Sequence, residues 1–119
     1  MAYVDGFVIA VPKDNIAAYK KMARAFGKLW MEHGALTYVE CLGDDTPVGK
    51  RTSFPRAVKL KEGEVVVFSW ITYASKKQRN ATMAKVMNDP RAKAMMTPGA
   101  MPFDGKRMII GGFKTMMEM

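Results

Sequence analysis

Two carboxylates, Asp5 and Glu40, fall inside apolar and β-branched runs, Tyr3-Val4-Asp5-Gly6-Phe7-Val8 and Thr37-Tyr38-Val39-Glu40-Cys41-Leu42. Acidic side chains are rarely buried without a partner. A carboxyl that faces a pocket has its pKa raised and can serve as an acid or base. Asp5 lies on a strand that belongs near the centre of a sheet, which makes it the stronger catalytic candidate. Glu40 reads better as a carboxylate at a sheet edge or in a dimer salt bridge. His33 is the single imidazole of the chain and a second candidate base. Its place in the last turn of a helix, just before Gly34, also suits a cation held by the helix dipole. Trp70 is a candidate cavity wall, although a core position is the usual one for an aromatic on a central strand. Arg56, Asp104 and Arg107 are candidate ligand-binding residues, with Lys59, Lys61 and Lys106 beside them, and a solvated rim is the plainer reading. Cys41 has no basic neighbour in sequence to lower its pKa and reads as packing.

Other chemistries find no residues to carry them. One histidine and one cysteine leave no multi-histidine metal site and no internal disulfide. No glycine-rich phosphate loop, zinc spacing or Ser-His-Asp order occurs, so neither a metal nor a cofactor is expected. The formal charge of +8 favours anions or nucleic acid. The basic residues, however, are spread along both helices, among them Lys20, Arg24, Lys28, Lys76, Lys77 and Arg79, and no stacking pair of aromatics is evident. RNA binding is therefore expected to be weak and to run through phosphates. No apolar run has membrane-spanning length. With one cysteine and no leader-like pattern near Tyr3, a cytoplasmic setting is the expectation.

The elements that must position these residues follow from periodicity. The chain has the length of one domain, 1–119. Residues 3–11, closed by Pro12, read as a strand. Over 14–33, Ile16, Tyr19, Met22, Ala23, Phe26, Leu29, Trp30 and His33 recur at helical spacing. Asp14 or Asn15 can cap that helix, and Gly34 ends it. Residues 35–42 form the second strand, and a polar loop with an extended piece at Ala57–Leu60 follows. Residues 64–73 form a strand apolar on both faces, hence central. Ser75 and Gln78 give a capping-box pattern ahead of the second helix, which stops near Asp89-Pro90, with a short turn at Arg91–Met96. The last strand, 106–114, carries the adjacent pair Gly111-Gly112, a spot bare of side chains where a backbone, side chain or ligand can come close. The order β-α-β-β-α-β folds as a ferredoxin-like, α+β domain: a four-stranded antiparallel sheet with two helices on one face. Strands one and three carry large apolar residues at both parities, so the other face needs a cover, and a second copy is the simplest.

Several segments, notably Tyr3 to Val8, His33-Gly34-Ala35-Leu36, Thr52-Ser53-Phe54-Pro55-Arg56-Ala57-Val58-Lys59, Val67-Phe68-Ser69-Trp70-Ile71, Asp89-Pro90-Arg91 and Met101 to Phe113, resemble the YbaA-like family of bacterial proteins within the dimeric α/β-barrel superfamily. The resemblance spans nearly the whole chain. It implies the ferredoxin-like fold and a homodimer that pairs as a dimeric α/β barrel, and no established activity. Superfamily enzymes act on hydrophobic rings between sheet and helices, so a small hydrophobic or aromatic ligand there is the leading expectation. The alternatives are a non-catalytic interaction or sensing module, and an RNA- or anion-binding protein. Haem-degrading members resemble a pattern of strand-one amide, strand-three tryptophan and a histidine early in the second helix; here Gln78 and Asn80 occupy that last place.

Overall fold

The computed structural model describes residues 2–97 and 99–119. β1 (Tyr3–Pro12) leads through a short 3-10 turn into α1 (Ile16–Glu32), then β2 (Thr37–Leu42), α2 (Phe54–Ala57), β3 (Glu64–Tyr73), α3 (Lys76–Met87), α4 (Pro90–Met95) and β4 (Ile109–Lys114). The sheet is antiparallel throughout, in the order β2-β3-β1-β4, so β1 and β3 are central as their two-sided hydrophobicity requires. α1, α3 and α4 cover one face.

Three local expectations are corrected. Asn15 precedes α1 but does not cap it; its side chain donates to the Pro102 carbonyl at 2.9 Å. Ala57–Leu60 is not extended: α2 forms just before it, because the Ser53 hydroxyl accepts from the Arg56 N–H at 3.1 Å and Pro55 is preset for a first helical turn. β4 begins at Ile109 rather than 106, since the Asp104 carboxylate caps a 3-10 turn over Gly105–Arg107. Other local signals hold in part: β2 starts at Thr37 rather than 35, and the Gln78 side chain turns to Thr82 instead of completing the capping box. Ser75 accepts from the Gln78 N–H at 3.1 Å, and Gly34 leaves α1 at φ 121°, a conformation that glycine tolerates best.

Register decides what each face carries. Directly paired residues point to the same side. Tyr3, Asp5, Phe7, Ile9 and Val11 therefore lie under the helices with Tyr73, Ile71, Ser69, Val67 and Val65. The outer face holds Val4, Gly6, Val8 and Ala10 with Thr72, Trp70, Phe68 and Val66, flanked by Val39 and Cys41 on β2 and by Ile109, Gly111 and Phe113 on β4. α2 covers one end of it: Val58 packs on Ala10 and Val66, and Phe54 meets Phe68 edge-on at 5.7 Å. Elsewhere this face stays open, and Phe68, Ile109 and Phe113 are 41%, 41% and 63% exposed.

Candidate functional site

Between sheet and helices lies a cavity of about 200 Å³. Its floor is Phe7, Ile9, Ser69, Tyr38, Glu40 and Ile110. α1 contributes Tyr19, Met22, Phe26 and Trp30; α3 and α4 contribute Met83, Met87, Met95 and Met96; the segment before β4 adds Met101, Phe103 and Met108. Seven of the chain's twelve methionines thus line one cavity. Unbranched thioether side chains make a wall that can re-pack around differently shaped apolar guests. An engineered apolar cavity of about 150 Å³ accepts benzene, so the space here suits one ring or two fused rings. The segment that closes it is tied down at both ends. Asn15 holds Pro102, and Arg107 donates to Glu64 at 2.7 and 2.8 Å. Phe103 meets the Tyr19 ring edge-on at 5.7 Å.

The polar part of the wall is a triad of side chains. Tyr19 donates to Glu40 Oε1 at 2.7 Å, and Tyr38 donates to Oε2 at 2.9 Å. Burial, then the hydrogen bond from Tyr19 to Glu40, pushes the Tyr19 phenol well above its ordinary pKa. Burial, then the charge of Glu40, does the same to Tyr38. Both phenols therefore remain donors, and each Glu40 oxygen keeps a lone pair for a third partner. Tyr38 can lie beneath α1 because Gly27 faces it; a Cβ there would come within 2.8 Å of the ring. The same three residues also line a wider surface groove of about 780 Å³ along α1, with Lys20, Arg24 and Lys28 on its bank. Glu40 thus stands where an outer basic groove meets an inner apolar cavity. Glu40 does lie on an edge strand, β2, and its partners within the chain are two phenols. The available signal was that Tyr38 and Glu40 share parity, with Tyr19 on the buried stripe of α1.

The other candidates are placed apart from this wall. Asp5 is 1% exposed and fully engaged: Arg79 donates to both its oxygens at 2.9 to 3.2 Å, and Tyr73 donates at 2.8 Å. Arg79 also lies 5.3 Å from the centre of the Tyr3 ring. Gly112 makes this approach possible, since a Cβ there would sit 2.5 Å from the Tyr3 hydroxyl and 3.0 Å from Arg79 Nη2. Its neighbour Gly111 points to the other face, under Phe113. Trp70 does not share a cavity with Asp5. It pairs with Gly6, whereas Asp5 pairs with Ile71, so the two side chains leave the sheet on opposite sides. Gln78, at the place of a haem-ligating histidine in the superfamily pattern, donates to Thr82 at 3.2 Å. His33 sits at the C-terminus of α1 and bonds Asp89 at 3.0 Å, within a cluster completed by Arg91 and Glu32. Arg56 is spent on the Val48 and Gly49 carbonyls. Arg107 holds Glu64 and Asp104 and reaches the Lys59 carbonyl at 3.0 Å. Arg56 ties α2 to the loop before it and Arg107 ties the segment before β4 to β3, so neither presents a free cation. Among the described residues, no group of three or more His, Cys, Asp or Glu side chains converges to hold a metal ion, and no helix is long and apolar enough to cross a membrane.

A family model described as a protein of unknown function (DUF1428) matches residues 2–105. The chain belongs to this family. The uncharacterized protein YbaA of Escherichia coli (strain K12) is a relative 53% identical over 118 residues, 99% of either chain. The ferredoxin-like fold recurs in solved structures of low identity. A candidate antibiotic biosynthesis monooxygenase from Nitrosomonas europaea superposes with TM-score 0.60 at 12% identity, covering 97% of this chain and 90% of the other. A dimeric ferredoxin-like protein from an uncultured marine organism superposes with TM-score 0.56 at 14% identity, covering 100% of both. At such identities the likeness extends to the fold, and the DUF1428 chain must be read from its own residues.

Proposed function

We propose that this DUF1428 protein is a homodimer that binds a small, ring-bearing apolar molecule between sheet and helices. The observation that carries the reading is the methionine- and aromatic-lined cavity, whose polar wall, the Tyr19–Glu40–Tyr38 triad, can orient a guest. Such a pocket, mostly apolar with a few convergent polar groups, is what small-molecule sites generally look like. A hydroxyl on the guest can donate to Glu40, and a sufficiently acidic one can leave its proton there. The Nitrosomonas neighbour is described as an antibiotic biosynthesis monooxygenase, in keeping with a small-molecule site in this fold, and binding without turnover rests on the same cavity.

The dimer is supported by the open apolar face carrying Phe68, Ile109 and Phe113 and by the dimeric neighbour. Cytoplasmic residence remains part of the proposal, on the single cysteine. Two measurements test it. Light scattering at micromolar concentration is expected to give about twice the 13.3 kDa chain mass, and a monodisperse monomer would remove the second copy from the reading. The neutral fluorophore N-phenyl-1-naphthylamine is expected to brighten on binding wild type. Met83→Trp, which plugs the cavity from α3, is expected to abolish that signal. An unchanged signal in a folded Met83→Trp protein would move the site elsewhere.

A further inference from the structure

Resting on the cavity reading, we infer that the natural ligand is an amphipathic organic anion, an apolar ring system bearing a carboxylate or similar acid. Its ring would fill the methionine cavity and its acid group would lie on the Lys20–Arg24–Lys28 bank of the α1 groove. Three observations support this. The first is adjacency: Tyr19, Tyr38 and Glu40 line both the cavity and the groove, so the two spaces meet at the triad. The second is the contrast between the two spaces. The cavity wall is almost wholly apolar side chains. The groove carries three cations at i, i+4 spacing on one side of α1.

The third is that, among the described residues, no ion pair or side-chain hydrogen bond engages these cations. Among the described residues, Asp5, Glu64, Asp89 and Asp104 each take an arginine in an ion pair, and so does Glu32, the groove's other carboxylate, through Arg91 at 2.7 Å. Glu40 takes two phenols. Lys20, Arg24 and Lys28 are in none of these pairs, although like charges at i, i+4 on a helix repel one another. An anion laid along them relieves that repulsion. A ligand acid group belongs on this bank and not at Glu40, where two carboxylates would face each other.

The test compares two probes with the same ring, 2-naphthoate and the neutral 2-naphthalenemethanol, each titrated into the full chain by calorimetry at low salt. Wild type is expected to bind naphthoate about tenfold more tightly, the preference falling to about twofold near 0.5 M NaCl as the groove charges are screened. Arg24→Gln with Lys28→Gln is expected to erase the preference and leave the alcohol unchanged. Met83→Trp is expected to weaken both probes at least tenfold. If both probes bind wild type equally and Met83→Trp weakens both, the cavity stands and the anion inference falls. If neither binds wild type, or Met83→Trp leaves both untouched, the cavity reading itself fails. If naphthoate responds to the charge variant but not to the plug, acid and ring do not share one site, and the inference is overturned. Met22→Trp, a plug from α1, replaces Met83→Trp should that variant not fold. The salt dependence in wild type decides the charge part without any variant.

Discussion

Arg79→Met is the perturbation whose cost the structure specifies best. The substitution keeps the apolar stem of Arg79 and removes the guanidinium. That leaves the Asp5 carboxylate, 1% exposed, with only the Tyr73 hydroxyl as partner. Breaking a buried ion pair from one side typically costs about 3–5 kcal/mol, because the surviving charge is neither solvated nor paired. A chain of 119 residues unfolds with an entropy near 0.25 kcal/mol per kelvin, so the melting temperature is expected to fall by roughly 12–20 °C. The reverse cut should cost less. The Arg79 side chain is 19% exposed and can turn its guanidinium to water, and an amide at position 5 can still accept from Tyr73. Asp5→Asn is therefore expected to cost about 1–3 kcal/mol. The double variant should be more stable than Arg79→Met alone, since no buried charge is left behind. Urea unfolding of all four proteins measures the cycle. An Arg79→Met cost below about 1 kcal/mol, or an Asp5→Asn cost exceeding it, would refute the claim that this pair clamps α3 to the sheet.

Further outcomes follow from single contacts. Gly112→Ala should destabilise by about 1–3 kcal/mol, because its Cβ collides with the Tyr3 hydroxyl and crowds Arg79, whereas Gly111→Ala meets only Phe113 at 3.4 Å and should cost less; equal urea midpoints would contradict this. Gly27→Ala would gain helix propensity of about 1 kcal/mol in an open helix, yet here the new methyl strikes the Tyr38 ring, so net destabilisation and weaker N-phenyl-1-naphthylamine binding are expected from melting and fluorescence. The guanidinium of Arg91, and next His33, hold the Asp89 carboxyl well below the usual carboxylate range. A folded-state pKa below the unfolded value gives stability that is present above about pH 4 and lost as the pH falls further. Asp89→Asn should accordingly narrow the difference in melting temperature between about pH 7 and pH 3, and an undiminished difference would assign the acid sensitivity to other carboxylates.

Apart from α2, which reads as loop and extended chain, element order and type were legible in the sequence because each rests on short-range physics. The stripe from Ile16 to Trp30 could only be a helix with one buried side, and the two-sided apolar runs at 3–11 and 64–73 could only be central strands. The need to cover a second sheet face was legible for the same reason. The Gly111-Gly112 pair announced a bare spot but not its use, which differs on the two faces: Gly111 accommodates Phe113, and Gly112 admits Arg79 to Asp5. Alternation assigns parity within a strand. Only the register between strands, a long-range matter, says which parity of β1 shares a face with which parity of β3. That is why Asp5 and Trp70, on neighbouring central strands, lie on opposite sides of the sheet. The cavity was still less legible. It is a gap left where β1, β2, β3, β4, three helices and a tethered segment fail to fill space, and Glu40 belongs to it only because α1 carries Tyr19 over the edge strand. No local pattern encodes a void; it exists only once the packed elements have bounded it.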